Sequence, residues 1–154
     1  MLASIPNIDE IEVLVIDDKS TKDLIAYERL KNKYKHSNVK FFKNDTSKKG
    51  AGVCRNIGLK YIKGNWVVFA DSDDFFVDGF FEIIKDYLDT NYDVVFFRPI
   101  SIDRGTGKVS DRHQKYESLI LNYLRTKDKK SELQLRYEFV VPWSKLINDC
   151  PTKS

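Results

Sequence analysis

The sequence predicts an α/β domain built on a largely parallel sheet, and three observations carry that expectation. Short apolar runs alternate with amphipathic stretches through the first hundred residues. Three of the four runs are nearly continuous in Val, Ile, Leu and Phe, as expected of strands covered on both faces. Two of the runs end abruptly in aspartates: Asp17-Asp18 and Asp71-Ser72-Asp73-Asp74.

The elements follow in order. Glu12 to Ile16 reads as the first strand, and Ser20-x-x-Asp23 as a capping-box start for a helix to about Tyr34. Asn38 to Phe42 is the second strand. Ala51 to Lys63 reads as a helix closed by Gly64. Trp66 to Ala70 is the third strand. After Asp78, a fitting N-cap, Phe80, Ile83, Ile84, Tyr87 and Leu88 fall at helical spacing, and Asp93 to Phe97 is the fourth strand. Ser101 to Gln114 holds Gly105 and Gly107 and reads as a long loop. Tyr116, Leu119, Ile120, Tyr123 and Leu124 then mark another helix. Beyond Lys130 the pattern weakens, with an apolar segment around Tyr137 to Ile147 broken by Pro142. Residues 1–100 therefore form the expected binding core, and 101–154 a loop and helical segment of the same domain.

Composition narrows the function classes. With 154 residues, 42% hydrophobic and 32% charged, the chain is long enough for one domain with a core. A net charge of +3 on interspersed lysines and acids argues against a nucleic-acid partner, and the basic run Lys127-Asp128-Lys129-Lys130 reads as solvated loop. No run reaches the roughly 18 to 20 apolar residues of a membrane span, and no leader pattern is present. The expected location is the cytoplasm, with peripheral attachment as the nearest approach to a membrane. Cys54 and Cys150 form no close motif and read as reduced small hydrophobes; His36 and His113 read as isolated and exposed.

In open parallel sheets ligands bind beyond the carboxyl ends of the strands, where both aspartate clusters would fall. Asp71 and Asp73, two residues apart on extended chain, face one way. Carboxylates sharing a site repel unless a cation intervenes, and hard oxygen ligands suit Mg²⁺ or Mn²⁺. For any single aspartate a turn or cap role is the simpler account, but two clusters at matching strand ends favour a divalent cation. Between them, Lys48-Lys49-Gly50-Ala51-Gly52 leads into a helix bearing Arg55-Asn56, a cradle for an anion. Metal and cradle together suggest a phosphate-bearing ligand.

These residues also resemble a known family. Val15 to Asp23 is similar to the V-D-D-G-S-T-D signature of glycosyltransferase family 2, with Lys19 in place of the usual glycine. Lys49 to Leu59 resembles its N-x-G-x-x-x-A-R-N-x-G-L block, and Gly64 to Asp74 its G-x-Y-I-x-F-L-D-S-D-D block. Pro142-Trp143-Ser144-Lys145-Leu146-Ile147 resembles a weaker W-x-K-L segment. The resemblance implies a GT-A type, Rossmann-like fold and sugar transfer from a nucleoside diphosphate sugar, UDP-sugar first, to a glycan or lipid-linked acceptor, as in polysaccharide biosynthesis. It places Asp17 and Asp18 against base and ribose, Lys49, Gly50 and Arg55 around the base or diphosphate, and Asp71 and Asp73 on ribose and metal, with Asp73 the direct ligand of Mn²⁺ or Mg²⁺.

There are departures. Ser4-Ile5-Pro6-Asn7 mimics the family's opening motif with no room for the helix that follows it, and no acid pair matches the family's catalytic base. The expectation is a donor-binding half cut at both ends, whose open sheet edge would favour a homodimer. A catalytically incomplete nucleotide-sugar-binding fragment is thus the alternative. A response-regulator receiver is the distant one, because Asp71 is followed by Asp78-Gly79 at receiver spacing; the Gly50 to Gly58 block has no place in it.

Overall fold

A computed structural model of the chain describes residues 1–149. The chain divides into two compact units: residues 1–65 with Phe75–Phe81, and Trp66–Asp74 with the residues from Glu82 onward.

The first unit is built on a parallel pair. β1 (Val13–Asp17) and β2 (Val39–Lys43) align Val13 with Val39 through Asp17 with Lys43. A parallel pair needs a crossover, which α1 (Leu24–Lys33) supplies. Tyr27 on α1 meets Phe41 on β2 edge to face at 6.0 Å. The expected capping box does not form: the Ser20 N–H donates to the Asp17 carboxylate, and Asp23 precedes α1 at a left-handed φ of 52° with no side-chain cap. Asn38 anchors the segment before β1, its amide group donating to the Pro6 and Ile11 carbonyls at 3.0 Å. α2 (Ala51–Leu59) ends a turn earlier than its sequence pattern, because Glu12 takes the N–H groups of Lys63 and Gly64 and draws the chain out of the helix. Val13 and Phe81 are buried here.

The second unit is built on an antiparallel sheet. β3 (Trp66–Val68) is followed by α3 (Phe80–Leu88), which belongs to this unit from Glu82, and by β4 (Val94–Phe96). The Trp66 indole N–H donates to the Leu88 carbonyl at 2.9 Å, tying β3 to the end of α3. A small hairpin follows, β5 (Ser101–Ile102) with β6 (Val109–Ser110), turned by Asp103 and by Gly107 at φ 68°. Then come α4 (Gln114–Thr126), α5 (Lys129–Glu138) and β7 (Lys145–Asn148). β7 lies between β3 and β4 and runs antiparallel to both, pairing Val67 with Ile147 and Val95 with Leu146. The core gathers on Phe139 and Leu146, 0% and 2% exposed, with Leu135 and the rings of Phe96 and Tyr116 around Phe139.

The α/β class therefore holds and all four expected strands form, but a mostly parallel sheet does not. Among the described residues parallel pairing is confined to β1 and β2, because the W-x-K-L segment enters as an extra strand to which β3 and β4 both pair antiparallel. Nor are the apolar strands covered on both faces: β3 is half-buried along its length, and Val94 on β4 is exposed. The loop expected over 101–114 contains the β5–β6 hairpin, and the basic run expected as loop supplies the first residues of α5. Cys150 lies outside the described residues. No helix among the described residues is long and apolar enough to cross a membrane.

Candidate functional site

In the first unit the chemistry gathers where β1 ends. Asp17 is buried, its carboxylate accepting the Ser20 N–H at 3.2 Å and its carbonyl the Asn44 N–H at 2.8 Å. Lys19, in the position where glycine is usual, takes a left-handed φ of 59°. That conformation costs a non-glycine residue about 1–2 kcal/mol. The Lys19 ammonium group is held by the Thr46 carbonyl.

Asp18 is surrounded by donors. Its Oδ1 accepts from Asn44 Nδ2 at 2.6 Å and its Oδ2 from the Gly50 N–H at 2.7 Å, with the Cys54 thiol as a further donor. The Asn44 amide, the Gly50 N–H, Cys54 and the nearby Lys49 charge together hold the Asp18 carboxyl below its ordinary range. Burial, and then Asp18 itself, push the Cys54 thiol up. Asn44 is 1% exposed; its Nδ2 also donates to the Lys48 carbonyl at 2.8 Å, and its Oδ1 accepts from the Thr46 N–H and hydroxyl. Lys48, Lys49 and Gly50 remain exposed immediately before α2, and Gly50 takes φ 119°. Arg55 lies one turn into α2 and is half-buried.

In the second unit the acids gather just past β3. The Asp71 carbonyl accepts the Asp74 N–H at 3.2 Å, bending Asp71 to Asp74 into a turn. Asp73 is exposed, with the Arg104 guanidinium 3.8 Å from its carboxylate and 3.4 Å from its carbonyl. Asp74 is exposed as a residue, yet its carboxyl is pushed up, by partial desolvation first and then by the Asp73 and Asp71 charges. His113 opposes that rise. Its ring packs 5.9 Å from Tyr116 and 5.1 Å from Trp143 and is half-buried rather than isolated. Burial, then Arg112, lower its pKa below the ordinary histidine value, with Asp74 acting the other way. Among the described residues no three His, Cys, Asp or Glu side chains gather as a metal cage.

The structure thus brings Asp18, Lys49 and Gly50 together in one unit and sets Asp71 and Asp73 in one turn of the other. Asn44, Thr46 and His113 are the residues the sequence pattern passed over. Asn44 could have been flagged as the polar residue that ends an apolar strand ahead of Asp-Thr-Ser, a turn composition. His113 carried no comparable signal.

Comparison with known proteins bears on the family. A profile of Glycosyl transferase family 2 matches residues 1–147. Poly(ribitol-phosphate) beta-N-acetylglucosaminyltransferase TarS of Staphylococcus aureus is 42% identical over 67 residues, 43% of this chain and 11% of the relative. UDP-Glc:alpha-D-GlcNAc-diphosphoundecaprenol beta-1,3-glucosyltransferase WfaP of Escherichia coli is 42% identical over 67 residues, 44% of this chain and 25% of the relative. Minor teichoic acid biosynthesis protein GgaB of Bacillus subtilis is 29% identical over 101 residues, 66% of this chain and 11% of the relative. The chain thus spans between about a tenth and a quarter of the length of these curated relatives. No solved structure matches it. With its profile matched from residue 1 to residue 147, the chain belongs to Glycosyl transferase family 2, not to the receiver domains whose Asp71 to Asp78-Gly79 spacing it imitates.

Proposed function

We propose that the chain is the donor-binding part of a GT-A type glycosyltransferase that takes a UDP-sugar and passes its hexosyl group to a glycan or lipid-linked acceptor. The observation that carries this reading is the cation-bearing loop and helix entry beyond β1 and β2, Lys48 to Gly50 leading into α2, in a chain whose family profile matches residues 1–147. Relatives support the substrate class. WfaP is named for a UDP-glucose donor and a diphosphoundecaprenol-linked acceptor, and TarS for poly(ribitol phosphate).

The reaction breaks the bond between the anomeric carbon and the diphosphate, so the protein must stabilise negative charge on the departing diphosphate. Lys48 and Lys49 supply positive charge at the entry to α2, where the helix dipole also favours phosphate oxygens. Arg55 adds a guanidinium further along α2, and Asp17 lies on the base and ribose side. Asp71 and Asp73 would hold Mn²⁺ or Mg²⁺. The donor set fits: hard carboxylates, Asp73 mostly exposed, beside an Asp74 carboxyl that desolvation and then their charges push up, with waters and donor phosphates completing the shell. When bound, the metal supplies Lewis-acid neutralisation of the diphosphate.

The test is calorimetric titration of UDP with and without Mn²⁺, on the wild type and on Asp73→Ala. The expected result is Mn²⁺-dependent binding weakened on the order of 100-fold in the variant, about 2.7 kcal/mol. A folded wild type that binds no UDP would sink the reading.

A further inference from the structure

We infer that Asn44 is a positioning residue for the donor diphosphate: through Asp18 it sets the shape of the loop that ends in Lys48, Lys49 and Gly50, without touching the donor. The inference rests on the reading of that loop as part of the donor site.

Asn44 is 1% exposed although it sits in a surface connection, and both polar atoms of its side chain are engaged within that connection. A buried amide with its bonds met at both ends selects one backbone arrangement, since any other leaves a polar atom unpaired. Asp18 completes the arrangement. One carboxylate oxygen takes Asn44 and the other takes the Gly50 N–H, so a single side chain pins both ends of the Asn44 to Gly50 loop. Thr46 braces the middle, its hydroxyl donating to Asn44 Oδ1 at 2.7 Å and its N–H to the same oxygen at 3.0 Å. What this clasp leaves exposed are the Lys48 and Lys49 side chains and the start of α2.

The assignment changes how the acidic pair after β1 is used. With Asn44, Gly50 and Cys54 all donating to Asp18, most of its acceptor capacity is met within the protein. Asp18 is therefore the clasp, and Asn44 decides where it closes. Loss of Asn44 frees the loop, so phosphate contacts weaken while contacts to the base do not.

The test uses the full chain with Asn44→Ala, and with Thr46→Val as a milder second variant should the first not fold. Three quantities are measured on folded protein: affinity for UDP with Mn²⁺, affinity for uridine, and the rate of tryptic cleavage at Lys48 and Lys49. The expected result is UDP binding weaker by about tenfold or more, uridine binding within about twofold of wild type, and faster cleavage at both lysines. Equal loss of UDP and uridine affinity would mean a merely structural residue and overturn the inference. So would unchanged UDP affinity, or unchanged cleavage in a folded Asn44→Ala. A wild type that binds no UDP overturns the donor-site reading, and this inference with it; a wild type that binds UDP no better than Asn44→Ala overturns this inference alone.

Discussion

Asp18 and Asp74 are the same residue type placed just beyond the end of an apolar strand, and their surroundings push them in opposite directions. Asp18 meets an amide, a backbone N–H, a thiol and a nearby ammonium group, and its carboxyl is held below the ordinary range. Asp74 meets desolvation and two further carboxylates, and its carboxyl is pushed up. The first negative charge is answered mainly by donors; at the second, desolvation and like charges outweigh an Asp71 backbone hydrogen bond and His113. A strand-end aspartate is thus informative only with its neighbours in view. Asp18 is ringed by protein donors, whereas the Asp71 to Asp74 turn crowds carboxylates, with the Arg104 guanidinium 3.8 Å from Asp73.

The comparison can be broken most sharply at Gly50. Its φ of 119° leaves open space for a Cβ, so any cost of Gly50→Ala is conformational rather than steric. We expect a loss of about 1–2 kcal/mol in urea unfolding; no loss would show that the loop is not held where Asp18 requires it. Next, neutralising the two aspartates should move stability in opposite directions. Asp74→Asn relieves like-charge repulsion and should raise the melting temperature by about 1–2 °C in metal-free buffer. Asp18→Asn removes a charged acceptor and should lower it. Shifts of the same sign would erase the contrast. The smallest effect concerns pH. Because the folded Asp18 pKa lies below the ordinary 3.8, its stabilisation is present above that value and is lost only as pH falls through the folded pKa. Exchange of the Gly50 amide hydrogen, corrected for intrinsic rate, should therefore stay slow down to about pH 4 and quicken below it. An onset near pH 6 would show that another group controls the clasp.

Much of this was legible in the sequence because it rests on short-range pattern. The apolar runs at Val13, Val39, Trp66 and Val94 do become strands, and the Tyr116 to Leu124 spacing does become α4. What stayed hidden depends on partners far along the chain. β7 is four residues long and its neighbours β3 and β4 are three each, so nothing local says that Lys145 to Asn148 divides them. α5 shows the same limit. Its inward face is Ser131 and Leu135, with Phe139 just past the helix end, a stripe too thin to stand out, although Asp128 caps the helix through the Ser131 N–H. At the site, the acids were visible as acids, but their roles were not. The donor that matters most to Asp18 is a buried asparagine in a polar loop, where composition alone predicts solvent. Phe75 is 57% exposed, while its neighbour Phe76 stacks on Phe80, a difference that two adjacent phenylalanines do not announce.

The place of β7 also sets an order of events during synthesis. β1 and β2 pair Val13 with Val39, so the first unit can close its ladder while the chain is still short. Among the described residues β3 and β4 have no hydrogen-bonded contact with each other and each pairs only with β7, joining Trp66 to Asn148 and Val94 to Ile147. Until residues 145–148 emerge from the ribosome, two apolar strands wait with unmatched edges, the condition under which nascent chains need a chaperone or associate with one another.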